Sequence, residues 1–481
     1  MRRIAIIGGG ISGLSAAFYL EQQRRAGAPL EYVLFESTPR LGGSLLTEHA
    51  DGCLIEAGPD SFLTEKPWAA DLCRELGIDG QLIGSNDADR KTYILVKGRL
   101  VPIPDGLMFM VPTKILPVVY SPLFSLGAKF RMAREWFHPP RPAGADETVA
   151  ALVERHYGPE MVDRLADPLL SGVYGGEASG LSVRAVLPRF AEMEARHGSL
   201  GRGMLAARKR MASSNAPPRP LFSSLKDGMQ QLVDAILARL PHSALRTESA
   251  VRELRRENSW WSVRAESSGR ERFDAVILAT PAPMAGALLA PVQPELGTEL
   301  SAIAYTSSVT VTLGYGAELR LPPGFGFLVP RSEGKRMLAC TFVHNKFPHR
   351  APKHRPLVRC FLGGARDEEI LGWSDQQIEA AVRKELREIL WLTAPPLFCR
   401  IYKWKGAMAQ YGVGHLERLG RIERLRQQLP GLGLAGNGYR GIGVPDCILS
   451  GKEAAAQAAG LPPVVTAVTA AKDPLAQQPA S

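Results

Sequence analysis

Gly8, Gly10 and Gly13 stand at G-x-G-x-x-G spacing, and Glu36 closes the stretch that follows them. This set of residue types suits a dinucleotide. The three glycines give a tight turn, room for the backbone to approach a pyrophosphate, and close packing of helix on strand. A helix opening at Ile11, with Ser12 in its first turn, points free N–H groups at that pyrophosphate, where its partial positive charge lies. The Glu36 carboxylate can accept from both ribose hydroxyls and disfavours a 2′-phosphate, which favours FAD or NAD over NADP. Spacing alone is weak in a chain with 48 glycines. Context makes it specific: an apolar run Ile4–Ile7 precedes the glycines, LSAAFYL follows, and a second apolar run, Tyr32–Phe35, ends at Glu36. The pattern predicts strand, turn, helix, strand, acid. A secretory signal led by Met1-Arg2-Arg3 is the competing reading. It fails because consecutive glycines would break the signal helix and no convincing cleavage site follows.

Two further glycine-rich stretches suit the same ligand. Arg40-Leu41-Gly42-Gly43-Ser44 reads as a loop wrapping a longer cofactor, with close backbone approach and a guanidinium for a phosphate. Gly58-Pro59, inside IEAGPDSF, is a turn after a short apolar run. Near the C-terminus, GNGYRGIG runs into a helix with Pro445 at its first position and Gly460 just past its end. A capping box at Ser450-x-x-Glu453 offers a later start. The longer helix is preferred, although Gly451 costs it about 1 kcal/mol, because only that version presents a helix N-terminus directly after the glycines. There is no Ser–His–Asp, H-E-x-x-H or paired-carboxylate signature. Hydride chemistry would belong to the cofactor, leaving the protein to supply position, polarity and exclusion of water.

The 481 residues suit two or three domains. With 45% hydrophobic and 22% charged residues the composition is that of a folded soluble protein. A net charge of +10 and pI of about 9.4 suit acidic ligands or an anionic membrane surface. Nucleic acid is not expected, because Lys and Arg are scattered without a basic stripe or a recognised module. Six cysteines without close sequence partners read as buried thiols in a reducing cytoplasm. His344, His349 and His354 read as a solvated loop and not a metal site.

Residues 92–104 predict a hairpin turning at Lys97-Gly98. The apolar stretch 106–127 is interrupted by Pro112, Pro117, Pro122 and Lys114, which rules out a membrane span. It predicts a core helical hairpin or substrate-tunnel lining, preferred over an apolar surface resting on a bilayer because lysines are sparse. Asp146 is the expected N-cap of a helix to Tyr157, and a helix from Pro159 runs into SGVYGG at Ser171–Gly176. Residues 211–220 predict a loop. DAVILATP, ending at Pro281, predicts a buried parallel strand returning to the nucleotide domain, which is therefore discontinuous. Strands are expected at 301–313, 325–329 and 357–362, and a helix over 375–392. The division is 1–85, 221–285 and 424–460 for the cofactor domain; 86–105 and 286–423 for a substrate domain; 106–210 for a helical domain; and 461–481 for a disordered tail.

The fingerprint, the R-x-G-G loop and EAGPDSF together resemble the flavin amine oxidase superfamily. With ETVAALVERHYG, SGVYGG, GFGFLVPR and GIGVPDCILSG in order, the chain is similar to its bacterial porphyrinogen oxidase branch from residue 3 to about 460. The resemblance implies an α/β fold: a discontinuous Rossmann-like FAD-binding domain, a mixed-sheet substrate domain and a helical insertion. It implies FAD held by Gly8, Gly10, Ser12, Gly13, Glu36, Ser44, Gly58, Pro59, Asp60, Val251, Ile442, Gly443 and Val444, beside Ile11, Arg40 and Gly43 from the motifs above. A helix N-terminus beside the flavin's N1–C2=O edge would stabilise the anionic reduced ring.

It also implies a porphyrinogen of heme biosynthesis as substrate, oxidised by repeated hydride transfer, with O2 as acceptor and H2O2 as product. Gly172 matches a glycine whose carbonyl faces the substrate ring. Thr92 departs from the pattern of plant and animal members, which carry a propionate-holding arginine near this position. Thr92 and the net charge of +10 incline the reading towards coproporphyrinogen III over protoporphyrinogen IX. A cytoplasmic location, peripheral contact with the membrane and transfer of product to the next heme-pathway enzyme complete the implied setting. The alternatives are an amine oxidase or carotenoid desaturase of the same superfamily, or a non-catalytic FAD-binding redox protein.

Overall fold

The computed structural model describes residues 1–142, 144–212, 220–316, 321–353 and 355–462. Of the tail expected at 461–481 and the loop expected at 211–220, residues 463–481 and 213–219 lie outside the described residues, while Met211 and Ala212 close the helix Leu200–Ala212 instead of opening the loop.

Arg2–Ile7 (β1), Ile11–Arg25 (α1) and Leu30–Phe35 (β2) form the predicted opening unit. β1 pairs in parallel with β2, Ile4 opposite Tyr32, and on its other side with the strand Ala275–Leu278, Ile4 opposite Ala275. Leu245–Arg246 and Leu432–Leu434 complete five parallel strands. The chain therefore leaves this sheet after residue 35 and re-enters it three times. These strands are apolar on both faces because both faces are covered. Ile4, Ile6, Leu34 and Ile277 pack towards α1 and the C-terminal helix, while Ala5, Ile7, Phe35 and Leu278 pack with Trp261, Phe273 and Leu289. Strand alternation divides one run of apolar residues between two cores.

The second sheet has seven strands, in the order 398–409, 305–314, 357–363, 339–342, 326–328, 92–96, 99–102. Its neighbours are antiparallel except 326–328 against 92–96, so it is mixed. Asp375–Leu390 covers it through Ile378, Val382, Leu386 and Ile389, and starts at a Ser374/Gln377 capping box. Cys340 and Cys360, far apart in sequence, lie opposite one another in this sheet with their sulfurs 3.8 Å apart.

The helical region departs from expectation twice. The helix is Val149–Tyr157, and Thr148 caps it by accepting from the Ala151 N–H at 3.1 Å. Asp146 lies too early and is turned away, accepting from Ser182 Oγ and the Gly414 N–H. The stretch 106–127 is only half core. Met110, Val111, Val118, Leu123 and Phe124 are buried, but Leu116, Tyr120 and Leu126 are 67%, 82% and 83% exposed. The short helices Ile115–Tyr120 and Leu126–Glu135 turn one face inward, yet their sequence is apolar on both. A uniformly apolar run has no period to tell the two faces apart. Among the described residues no helix is long and apolar enough to cross a membrane.

Candidate active site

β1 runs directly into Gly8, whose φ of +108° and the 2.7 Å from a Cβ built there to the Ala279 carbonyl oxygen admit no side chain. A Cβ on Gly13 would stand 1.9 Å from the Gly8 oxygen. Gly10, the residue before α1, makes no side-chain cap, and the Leu14 N–H takes the Gly10 carbonyl. The N–H groups of Ile11, Ser12 and Gly13 therefore have no acceptor within the helix and open towards an anion. The 40–44 loop folds over this turn: the Gly42 N–H donates to Gly9 at 2.8 Å, and the Gly43 Cα lies 4.0 Å from where a Gly10 Cβ would be. Arg40 donates to the carbonyls of Leu41, Gly43 and Leu45, so its guanidinium shapes the loop that carries Gly43 and Ser44.

Glu36 accepts from the Gly9 N–H at 2.7 Å and from the Thr38 N–H at 2.8 Å. The Ser249 N–H donates to the Glu36 carbonyl at 2.8 Å, which brings Val251, at the head of the strand Val251–Glu257, towards Glu36. Behind Gly8, the Thr280 hydroxyl is buried without a partner among the described residues, as is the Tyr439 hydroxyl near the C-terminal turn. A glycine-walled cradle, an uncapped helix end, an acid and orphaned hydroxyls fit a dinucleotide.

The turn 57–60 forms the facing wall. A Cβ on Gly58 would stand 1.9 Å from the Ser44 carbonyl oxygen, so the two loops interlock. The Ala57 carbonyl receives Thr310 Oγ1 at 2.8 Å, Trp404 Nε1 at 2.9 Å and Arg359 Nη2 at 3.2 Å, and Arg359 also donates to the Gly58 carbonyl. After Pro59, Asp60 accepts from Lys346 Nζ at 3.0 Å on each oxygen. Burial alone would raise the Asp60 carboxyl; Lys346 and then Arg359 outweigh it and hold the group well below the usual range. Sequence reasoning missed these donors. Arg359 had a readable signal, a charge in the middle of the apolar strand LVRCFL; Thr310 and Trp404 had none.

The C-terminal helix is Val444–Ala459, with Gly443 just before it and Gly460 left-handed just after. This is the longer of the two predicted versions. Ile442, Gly443 and Val444 sit at its N-terminal end, where the Gly443 N–H donates to Asp446 at 3.2 Å and Lys66 Nζ holds both Asp446 oxygens. Asn437 fixes the preceding turn: its side chain accepts from Tyr305 OH at 3.2 Å and donates to the Ala407 carbonyl at 2.8 Å. Tyr411 OH donates to the Asn437 carbonyl and accepts from the Gly441 N–H. Burial pushes the Cys447 thiol up to about 12, as suits a core thiol.

Ser171–Tyr174 are the last turn of the helix Asp167–Tyr174, ended by Gly175 at φ +61°. Gly172 is exposed at this end, 3.8 Å (again from a built Cβ) to Leu328 Cδ2. The Tyr174 ring meets the Tyr411 ring at 6.2 Å, and burial, then the Asp446 charge, push the Tyr174 phenol up to about 12. The C-terminal end of one helix and the N-terminal end of another thus converge. Thr92 begins its strand opposite Gly326.

Residues 11–459 match the flavin-containing amine oxidoreductases. The chain belongs to that family. Within the family it is 35% identical over 469 residues to a coproporphyrinogen III oxidase of Bacillus subtilis, covering 95% of this chain and 98% of that protein. It is 31% identical over 487 residues to a chloroplastic protoporphyrinogen oxidase of Nicotiana tabacum, covering 95% and 85%. A crystal structure from an Exiguobacterium species, provisionally assigned as a protoporphyrinogen oxidase, superposes with a TM-score of 0.83 at 32% identity, covering 94% of this chain and 97% of that one. The cofactor of this family member is FAD, and the cradle described above fits it.

Proposed function

We propose that the protein oxidises a porphyrinogen of heme biosynthesis to the porphyrin, with coproporphyrinogen III the preferred substrate and O2 the final acceptor, released as H2O2. The observation that carries this reading is the open C-terminal end of the helix Asp167–Tyr174 at Gly172, set against the N-terminal end of Val444–Ala459. Carbonyls of a last helical turn carry partial negative charge. The Gly172 carbonyl is thereby suited to stabilise positive charge that develops on the substrate ring as hydride departs. When bound, FAD supplies the hydride acceptor.

The chain's own residues do the rest. Gly8, Gly10, Ile11, Ser12 and Gly13 would hold the pyrophosphate, Glu36 and Val251 the adenosine end. Arg40 shapes the loop that presents Gly43 and Ser44, while Gly58, Pro59 and Asp60 form the opposite wall. Ile442, Gly443 and Val444 place a helix end at the ring. Anaerobic mixing with coproporphyrinogen III is expected to bleach the bound flavin, and oxygen to restore its colour. No bleaching by any porphyrinogen, with aldehyde released from an amine instead, would replace this reading by an amine oxidase.

A second proposal concerns location. Ile115, Leu116, Tyr120, Leu126 and Phe130 are exposed on neighbouring helices and Phe137 in the turn just after the second, and the two helices are linked where Lys129 Nζ donates to the Val119 carbonyl. Between residues 106 and 137 the charged groups are Lys114, Lys129, Arg131, Arg134 and the buried Glu135. An apolar face whose exposed charges are all basic suits the surface of an anionic bilayer, reached from the cytoplasm.

A further inference from the structure

Two strands of the mixed sheet, Tyr305–Gly314 and Phe398–Ala409, end where both glycine-rich turns arrive. Neighbouring residues on a strand face opposite ways, and here they divide between the two turns. Tyr305 donates to Asn437 of the cofactor-side turn, whereas Thr306 Oγ1 donates to the Gly175 carbonyl of SGVYGG at 3.3 Å. Just beyond the partner strand the division repeats. Tyr411 holds the Asn437 carbonyl at 2.6 Å, whereas Gln410 Nε2 donates to the Tyr174 carbonyl at 2.7 Å and to Thr306 Oγ1 at 3.0 Å. Gln410 is itself fixed, its N–H on the Ala304 carbonyl at 2.9 Å. Its Oε1 lies 2.0 Å from where a Gly176 Cβ would be, so the turn closes on this side chain only because residue 176 is glycine.

The last four carbonyls of a helix have no partner within it. Here that of Ser171 takes the Gly175 N–H and that of Tyr174 takes Gln410. Among the described residues, those of Gly172 and Val173 have neither a backbone donor from the following turn nor a side-chain donor.

We infer that Thr306 and Gln410 are positioning residues: by holding Tyr174 and Gly175 they keep the Gly172 carbonyl open and aimed at the substrate, while Tyr305 and Tyr411 hold the cofactor-side turn from the same two strand ends. This rests on the porphyrinogen reading. The two strand ends set the spacing between the group that stabilises charge on the substrate and the cofactor that takes the hydride. A small displacement there costs rate without costing cofactor.

The test uses full-length, FAD-loaded enzyme and three variants, Gln410→Leu, Gln410→Glu and Thr306→Val. Anaerobic flavin reduction is followed with coproporphyrinogen III and, separately, with dithionite, alongside FAD affinity. The expected result is reduction by porphyrinogen about 10- to 100-fold slower at saturating substrate, with dithionite reduction and FAD affinity unchanged. In Gln410→Glu the ionised carboxylate cannot donate to the Tyr174 carbonyl, whereas the protonated acid can. Its deficit relative to wild type should therefore shrink as pH falls. Wild-type reduction rates in the leucine variant overturn the inference while leaving the porphyrinogen reading intact. A pH-independent deficit in Gln410→Glu, or parallel loss of FAD in all three variants, assigns these residues a structural role and also overturns it. Failure of the wild type to react with any porphyrinogen is a different outcome, and removes the underlying reading.

Discussion

Gly451 lies against Ser12: a Cβ at 451 would stand 2.2 Å from the Ser12 carbonyl oxygen and 2.9 Å from the Ser15 Cβ. The C-terminal helix and α1 approach each other through these small residues, and each starts directly after a glycine, Gly443 and Gly10. This accounts for a glycine inside a helix, whose cost of about 1 kcal/mol is offset by the close approach. Propensity alone predicts that Gly451→Ala stabilises the protein. The contact predicts the reverse, because a backbone oxygen cannot move aside without separating the helices. Thermal unfolding with and without FAD is expected to show a loss of about 1–3 kcal/mol and weaker FAD binding.

The Val444 end of the same helix supplies an electrostatic prediction. Val444→Asp places negative charge where the helix offers partial positive charge, and so opposes the charge the flavin ring gains on reduction. A contribution of about 1 kcal/mol corresponds to a shift of roughly 20 mV for a two-electron couple. The reduction potential should become more negative by about that much, and flavin reduction should slow more than FAD binding weakens. An unchanged potential with FAD retained would place the helix end elsewhere.

Asp60 and Lys346 make the turn 57–60 pH-sensitive. The folded state holds the Asp60 carboxyl below its ordinary value. Its contribution is therefore fully present above the usual aspartate value of about 3.9 and is lost as pH falls through the depressed folded value. Asp60→Asn leaves Lys346 buried without its partner, which should cost about 3–5 kcal/mol at neutral pH. Unfolding measured from neutral pH into acid should show the variant less stable throughout the upper range and lacking this part of the acid-induced loss.

The glycine-walled turn and the loop folded over it were legible because their residues are local. Gly8 to Ser44 lie within one strand–helix–strand unit and the loop after it, and each carries its physical reason on its face: a turn, a close approach, a ribose acid. The clamp on the Ala57 carbonyl was not legible, because Thr310 and Trp404 meet it from 253 and 347 residues away. Thr306 and Gln410 were invisible for the same reason: neither the strand residue Thr306 nor Gln410, just past the end of the partner strand, is unusual where it stands, and only strand pairing brings them to SGVYGG. Local competition explains the misplaced cap. Asp146 and Thr148 are both capable side chains, and position relative to the first helical residue decided between them. In the 106–127 stretch composition was clear but orientation was not, since no polar face marks the side turned outward.

That outward side leads to a membrane prediction. Phe130→Glu combined with Leu126→Glu removes two exposed apolar side chains, each worth about 1.5–3 kcal/mol if fully buried, and adds repulsion from anionic headgroups. Wild-type protein should sediment with phosphatidylglycerol vesicles, less with phosphatidylcholine vesicles, and less again as salt rises. The double variant should remain in the supernatant with its flavin spectrum unchanged. Equal sedimentation of both proteins on both lipids would remove the proposal.

Substrate choice is the remaining test. Coproporphyrinogen III carries four propionates and protoporphyrinogen IX two, so the candidates differ chiefly in charge. Thr92 provides no guanidinium at the position where the resemblance implies an arginine that holds a propionate in plant and animal members. A protein of net charge +10 attracts the more anionic ring at long range. Long-range attraction acts mainly on encounter and is screened beyond about 8 Å at physiological ionic strength. The two contributions therefore separate by salt. Measured as kcat/KM, coproporphyrinogen III should be preferred at low and physiological salt, and the preference should narrow between them by the part that belongs to encounter. What persists at the higher salt belongs to contacts within the pocket. A preference for the two-propionate ring at physiological salt would reverse the assignment, and would mean that a cation other than residue 92 holds its propionates.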